Sequence, residues 1–134
     1  MEIQENTTEL FIQDKKCVIE YLKSRKVNNN ALFSVINDYP FGLLRNARFF
    51  VDEEEYEITH FLSKSNNMGY DIHEVNKLLN TESTNVVAFA MVAGDDVLCY
   101  DTKSKEVFLW LIQTRDGEKI HVSDNLTKFL KQFK

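Results

Sequence analysis

The sequence predicts an α+β fold in which about five or six mainly antiparallel strands form a sheet, with N-terminal, middle and C-terminal helices packed on it. Residues 86–91 and 107–112 are apolar at nearly every position, as expected for strands that are buried on both faces. A closing helix is indicated by apolar residues at i, i+3, i+4 and i+7, namely Leu126, Phe129, Leu130 and Phe133. Helices or the N-terminal segment must therefore cover both sides of the middle of the sheet.

Two helices are predicted before the first strand. Asn6 and Glu9 have the spacing of a capping box, and the helix that they open would end near Ser24. A shorter helix over residues 31–37 would stop before Pro40, because the residue preceding a proline is pushed out of the α region. The inward faces of these helices would carry Leu10, Phe11, Val18, Tyr21, Leu22, Leu32, Phe33 and Ile36.

A hairpin and a third helix are predicted in the middle of the chain. Residues 48–51 and 56–59 are apolar, β-branched or aromatic except for Arg48 and Glu57, and they flank four acidic residues, 52–55, which predict the turn. A loop over residues 63–69 follows. A second capping box, Asp71 with Glu74, would open a helix with an apolar side made of Ile72, Val75, Leu78 and Leu79.

The last third of the chain predicts a second hairpin with an acidic tip. Residues 86–91 run through Gly94, Asp95 and Asp96 into residues 97–101, and Gly and Asp favour hairpin turns. In the following strand all neighbours of Trp110 are apolar, so we expect it in the core. Ser123 or Asp124 is expected to cap the closing helix.

Taken in order, these segments resemble the SUKH superfamily, and in particular its Smi/Knr-like members. The family pattern is an apolar strand ending in Phe-Ala, a Gly-containing turn, a strand ending in an aromatic residue and Asp, an aromatic-rich strand and a Ser-led helix. The matching positions are Phe89-Ala90, Gly94-Asp95, Tyr100-Asp101, Phe108 with Trp110, and Ser123 followed by Phe129-Leu130. With Arg48 to Val51 and Phe61-Leu62 upstream, the resemblance is clearest over residues 47–133.

The resemblance implies a function as well as a fold. It predicts a single SUKH-like domain over residues 1–134, and bacterial members of the family are largely immunity proteins that bind and block a toxin domain, often a nuclease. The alternative is a regulatory scaffold that binds a cellular protein, as the fungal Smi/Knr-like regulators of cell-wall synthesis are thought to do. The sequence leaves the toxin and the oligomeric state open.

The charge of the chain restricts its partners. A net charge of -5 argues against direct binding of nucleic acid, which needs Lys and Arg to replace counterions, and favours a basic protein partner. Residues 1–5 lack the features of a signal peptide, and no apolar run approaches the ~20 residues of a membrane span. We therefore expect a cytoplasmic protein without a membrane contact, in which Cys17 and Cys99 are buried thiols.

No motif in the sequence indicates an enzyme. A Gly-rich phosphate loop, a nucleophile elbow and the common zinc spacings are all missing. His60, His73 and His121 have no companion at metal-ligand spacing, and Asp101 would lie too far from Asp95 and Asp96 to share an ion. We therefore expect neither catalysis nor a cofactor nor a metal site.

Two acidic segments are the candidate partner-binding residues. Asp52, Glu53, Glu54 and Glu55 would create a local negative potential that steers a cationic partner, although a solvated turn is the plainer interpretation. The other segment is Asp95 with Asp96, where turn formation alone is the alternative. If both hairpin tips lie at one edge of the sheet, they form a single acidic surface; the sequence leaves that geometry open.

Overall fold

The structure is a computed structural model that describes residues 2–38, 43–64, 71–94, 96–112 and 117–133, without the side chains of residues 2–11 and 43–46. Its helices are α1 (Glu2–Ser24), α2 (Asn30–Asp38), α3 (Ile72–Leu78) and α4 (Leu126–Lys131). Its strands are β1 (Leu43–Val51), β2 (Glu54–Phe61), β3 (Val86–Val92), β4 (Asp96–Asp101), β5 (Val107–Leu111) and β6 (Glu118–Ser123). The predicted α+β fold is confirmed.

The six strands form one sheet in chain order, from β1 at one edge to β6 at the other. Every neighbouring pair is antiparallel, so the connections alternate between the two ends of the sheet. The β1–β2, β3–β4 and β5–β6 connections therefore lie at the same end, which we call the hairpin end. The connection from β2 to β3, which contains α3, leaves the opposite end.

The core lies between the helices and the middle strands. β3 is buried at every position after Val86, as its unbroken apolar run predicts. Phe129 of α4 is buried and meets Phe49 of β1 edge to face, with ring centroids 5.4 Å apart. α4 thus covers the first hairpin, and Leu126 and Leu130 are buried beside Phe129, whereas Phe133 lies beyond the helix and is half-buried.

The N-terminal helices differ from the prediction in their boundaries. α1 begins at Glu2, so Asn6 lies inside the helix and the predicted cap there is wrong; a cap contributes only ~1 kcal/mol, which an additional helical turn can offset. Val18, Tyr21 and Leu22 are buried as predicted. The side chains of Leu10 and Phe11 and the backbone of Pro40 lie outside the described residues.

α3 has a confirmed cap but a different buried face. The Asp71 carboxylate accepts hydrogen bonds from the backbone N–H groups of His73 and Glu74, as expected of an N-cap. Leu78, predicted to point inward, is 81% exposed, whereas Asn76 is completely buried. The helix is rotated relative to the predicted orientation, because Ile72 and Asn76, which are one turn apart, face β3.

The Asn76 amide forms hydrogen bonds with the part of β3 that extends beyond its pairing with β2. Its Nδ2 donates to the Ile72 and Ala88 carbonyls at 2.8 and 3.1 Å, and its Oδ1 accepts from Ala88 N–H at 2.8 Å and from the Thr81 hydroxyl at 2.6 Å. The pairing of β2 with β3 ends at Phe61 and Ala90. Asn76 therefore takes the place of a strand partner for Ala88, where an unpaired buried amide would be costly.

Three smaller predictions are corrected. Asn125, not Ser123 or Asp124, caps α4 and accepts from Lys128 N–H, because Ser123 still pairs with Val107 in the sheet. Trp110 is only half-buried, with Lys119 Nζ 4.9 Å from its ring centroid.

Cys99 is buried as predicted and burial raises the pKa of its thiol, whereas Cys17 is only half-buried. The predicted loop over 63–69 lies outside the described residues after Lys64.

Candidate functional site: an acidic end of the sheet

Three hairpins each contribute a carboxylate to the hairpin end. β2, β4 and β6 all start there, and their first residues are Glu54, Asp96 and Glu118. The tip Asp52-Glu53 lies directly before β2. We call these five residues the acidic end. The two acidic segments of the sequence thus lie at the same end of the sheet, although Asp95 itself lies outside the described residues.

The tip of the first hairpin is shorter than predicted. Asp52 and Glu53 have φ values of 49° and 75°, and Val51 pairs directly with Glu54, which is the geometry of a two-residue turn with both central residues at positive φ. The predicted four-residue turn is therefore wrong, because Glu54 and Glu55 belong to β2. A left-handed conformation costs a non-glycine residue ~1 kcal/mol, so the tip carries an acidic pair where Asn-Gly would be less strained.

Tyr56 is an aromatic residue in contact with the acidic end. Its hydroxyl donates to Glu54 Oε2 at 2.9 Å, and its ring stacks on Phe49 with centroids 5.5 Å apart. Partial burial raises the pKa of the Tyr56 phenol, and the hydrogen bond to Glu54 and the negative charges of Glu54, Asp96 and Glu118 raise it further. Three strand starts therefore act on one protonated phenol.

Strand alternation places Glu55 on the other face of the sheet. There Arg48 Nη1 lies 3.3 Å from Glu55 Oε1, and Arg48 Nε lies 3.8 Å from Glu57 Oε2. All three side chains are about half exposed, so these ion pairs contribute little to stability. Together with Tyr56 and Ala93 they line a shallow open groove, which we call the outer groove.

The ion pairs of the described residues leave the first hairpin tip and the start of β2 without a cationic partner. Within the described ranges, no ion pair involves Asp52, Glu53 or Glu54. Asp96 Oδ1 is buried, and no described group donates a hydrogen bond to it. Among the same residues, no set of His, Cys, Asp and Glu side chains is arranged to hold a metal ion. The arrangement can therefore attract and pair with the cationic groups of a partner.

The three histidines have contacts elsewhere in the fold. His60 is buried, and burial lowers the pKa of its imidazole. His73 on α3 packs edge to face against Tyr21, with ring centroids 4.3 Å apart. His121 Nε2 lies 3.3 Å from Asp124, and its Nδ1 is in contact with Glu106. These environments fit a structural or surface role for the three histidines, none of which has a companion at metal-ligand spacing in the sequence.

Glu118 and Tyr56 are the members of this site that sequence reasoning missed. Glu118 lies in a segment of mixed charge, with Arg115, Asp116 and Lys119 close in the sequence. Its position becomes informative only when β6 is known to begin at the same end of the sheet as β2 and β4. Tyr56 reads as an ordinary aromatic strand residue. The sequence signal that could have found both residues is their position in the first three residues of a predicted strand that starts at the hairpin end.

The fold and this site define an α+β domain built on a six-stranded antiparallel meander with an acidic end. A family model described as SUKH_6, SMI1-KNR4 cell-wall, matches residues 29–130, which include α2 and all six strands. The chain belongs to this SMI1-KNR4 family, and the match extends the resemblance from residue 47 back to residue 29. No curated protein and no solved structure is significantly similar to the chain. In the described part of the chain, no helix has the length and apolar character that crossing a membrane requires.

Proposed function

We propose that this chain is an immunity protein that binds and neutralises a cognate polymorphic or contact-dependent toxin domain, often a nuclease, in the cytoplasm. The observation that carries the proposal is that Glu54, Asp96 and Glu118 and the Asp52-Glu53 tip all lie at one end of the sheet. Neutralisation is stoichiometric binding, without a cofactor and without turnover of a substrate.

Charge complementarity explains why such a surface suits a nuclease. An enzyme that cleaves nucleic acid presents Lys and Arg to phosphate groups, and these cations are complementary to the carboxylates of the acidic end. Complementary charges raise the rate of encounter and fix the orientation of the partners. Because Glu54, Asp96 and Glu118 stand on strands, their backbone is already ordered, and binding has to order only their side chains.

Growth rescue is the direct test of this function. The C-terminal domain of the protein encoded beside this gene is expressed in a test host, with and without this chain. We expect the domain alone to stop growth and co-expression to restore it. If the neighbouring domain is harmless, or if its toxicity is unchanged by this chain, the immunity proposal is wrong.

Reversal of charge at the tip should slow association with the toxin domain. In the double variant Glu53→Lys and Glu54→Lys, two attractive charges become repulsive, so we expect the association rate to fall about tenfold or more at low salt and its salt dependence to weaken. Stopped-flow measurements across a salt series provide the rates. Unchanged kinetics would remove the tip from the binding surface.

The control for this variant carries the same charge change at the other end of the sheet. Glu74 and Glu82 are exposed and lie on the connection between β2 and β3. In the variant Glu74→Lys and Glu82→Lys, the net charge of the chain changes equally, but the acidic end is intact. We expect a much smaller change in the association rate, which separates local steering from net charge.

The family description, SMI1-KNR4 cell-wall, favours a second candidate function. In that case the chain is a regulatory scaffold, and the acidic end binds a cellular protein. The two functions differ in the rescue experiment, because a scaffold leaves the toxicity of the neighbouring domain unchanged. Its own partner would be recovered with the wild-type chain and lost with the tip variant.

A further inference from the structure

β1 is an open edge of the sheet. It pairs with β2 on one side, and no segment within the described ranges pairs with its other side. An open edge presents backbone N–H and C=O groups that can pair with a strand of another chain. Proteins usually protect such an edge with lysine, proline or a bulge.

The straight part of this edge has only one protecting charge. The irregular register of β1 lies between Leu43 and Ala47, and from Ala47 to Val51 the pairing is regular. Between Ala47 and Val51 there is no lysine or proline, and the one charged residue, Arg48, is held in ion pairs with Glu55 and Glu57 of β2. Phe50 is 67% exposed, so a large apolar side chain stands on an edge that could accept another strand.

The turn geometry identifies which backbone groups are available. In a two-residue hairpin the pair next to the turn, here Val51 with Glu54, exchanges hydrogen bonds. Hydrogen-bonded and non-hydrogen-bonded pairs then alternate along the ladder, so Phe49 and Ala47 also face β2. The N–H and C=O groups of Arg48 and Phe50 consequently point away from β2 and toward the open edge.

The charges beside this edge indicate the partner. Arg48 is already paired with Glu55 and Glu57, which leaves an excess of negative charge around the outer groove. A strand that pairs with β1 and continues past Val51 runs alongside the Asp52-Glu53 turn. Such a strand would place an apolar side chain against Phe50 and a Lys or Arg beside the turn.

We propose that β1 accepts an extended strand of the cationic toxin domain, which becomes a seventh strand of the sheet and pairs with the backbone of Arg48 and Phe50. The inference rests on the proposed function, because it names the toxin domain as the partner. It adds a mode of recognition in which backbone pairing at β1 supplements the charge attraction of the acidic end.

A pair of substitutions at one position tests the backbone pairing. Phe50→Pro removes the outward N–H, and proline is tolerated at such an edge position, whereas Phe50→Val retains the N–H and an apolar side chain. We expect Phe50→Pro to bind the C-terminal domain of the neighbouring protein about tenfold or more weakly than Phe50→Val. Equal affinities in two folded variants would overturn the inference.

Hydrogen exchange of the wild-type chain supplies a test that does not depend on how the proline variant folds. In the complex with the same C-terminal domain, the amides of Arg48 and Phe50 should exchange at least about tenfold more slowly than in the free chain. Unchanged exchange at both amides would show that no strand pairs there.

The outcomes separate this inference from the proposed function. Growth rescue by both the wild type and Phe50→Pro, with equal affinities, would leave immunity intact and reject strand addition. Failure of the wild type to rescue growth would reject both. Sedimentation of the free chain tests whether a second copy of this chain pairs with β1 instead. A dimer that Phe50→Pro dissociates would assign the edge to that second copy and overturn the inference.

Discussion

Replacement of Phe129 with alanine is expected to lower the free energy of unfolding by about 3 to 5 kcal/mol, because a buried phenyl ring is lost and a cavity remains. Phe129 is 4% exposed and joins α4 to the first hairpin through Phe49. α4 is short, so packing rather than helix propensity holds it on the sheet. Urea denaturation provides the free energy, and a scan of temperature provides the midpoint.

Phe133 is the matched control for this substitution. It is the same residue type, its ring lies 5.2 Å from that of Phe129, and it is only half-buried beyond the end of α4. We expect Phe133→Ala to cost clearly less than Phe129→Ala. A thermal midpoint of Phe129→Ala within about a degree of the wild type would contradict the role of Phe129 as the buried anchor of α4.

Replacement of Asn76 with leucine is expected to destabilise the protein by about 2 to 4 kcal/mol, although leucine is apolar and similar in size. The substitution leaves the N–H and C=O of Ala88 and the Thr81 hydroxyl without the amide that they contact. Each buried polar group left unsatisfied costs about 1 to 3 kcal/mol. Urea denaturation of the variant and the wild type measures the difference.

The reciprocal substitution two residues away is the control. Leu78 is 81% exposed, so Leu78→Asn should change the free energy of unfolding by no more than about 0.5 kcal/mol. The two variants together test which face of α3 is buried. If Leu78→Asn were the more destabilising of the two, the orientation of α3 would be wrong.

The strand pattern and much of the core were predictable from the sequence. The apolar runs that became β3 and β5 and the spacing of Leu126, Phe129 and Leu130 are local patterns. The structure buries β3 after Val86, the first three residues of β5 and all three of these α4 residues. The cap at Asp71 was equally visible, because a capping box depends only on residues three apart. Such features could be predicted because the residues that make them are neighbours in the chain.

The buried face of α3 could not be predicted in the same way. Leu78 continues an apolar spacing and Asn76 does not, so any local rule places Leu78 inside. Asn76 is buried because β2 stops short of Ala88 and leaves backbone groups of β3 in need of a partner. The length of β2 relative to β3 is a tertiary property, and no pattern within α3 contains it.

The candidate site likewise has features that follow from local sequence and features that only the tertiary structure determines. The sequence by itself determined the family, the α+β class and the presence of acidic residues near two hairpin tips, because all of these depend on residue types and short spacings. The tertiary structure alone brought Glu54, Asp96 and Glu118 to one end of the sheet and sent Glu55 to the opposite face. The physical reasons are two. An antiparallel meander returns every second connection to the same end of the sheet, and adjacent side chains of a strand point to opposite faces. Acidic residues that are distant in the sequence therefore form one charged surface only after the strands have paired.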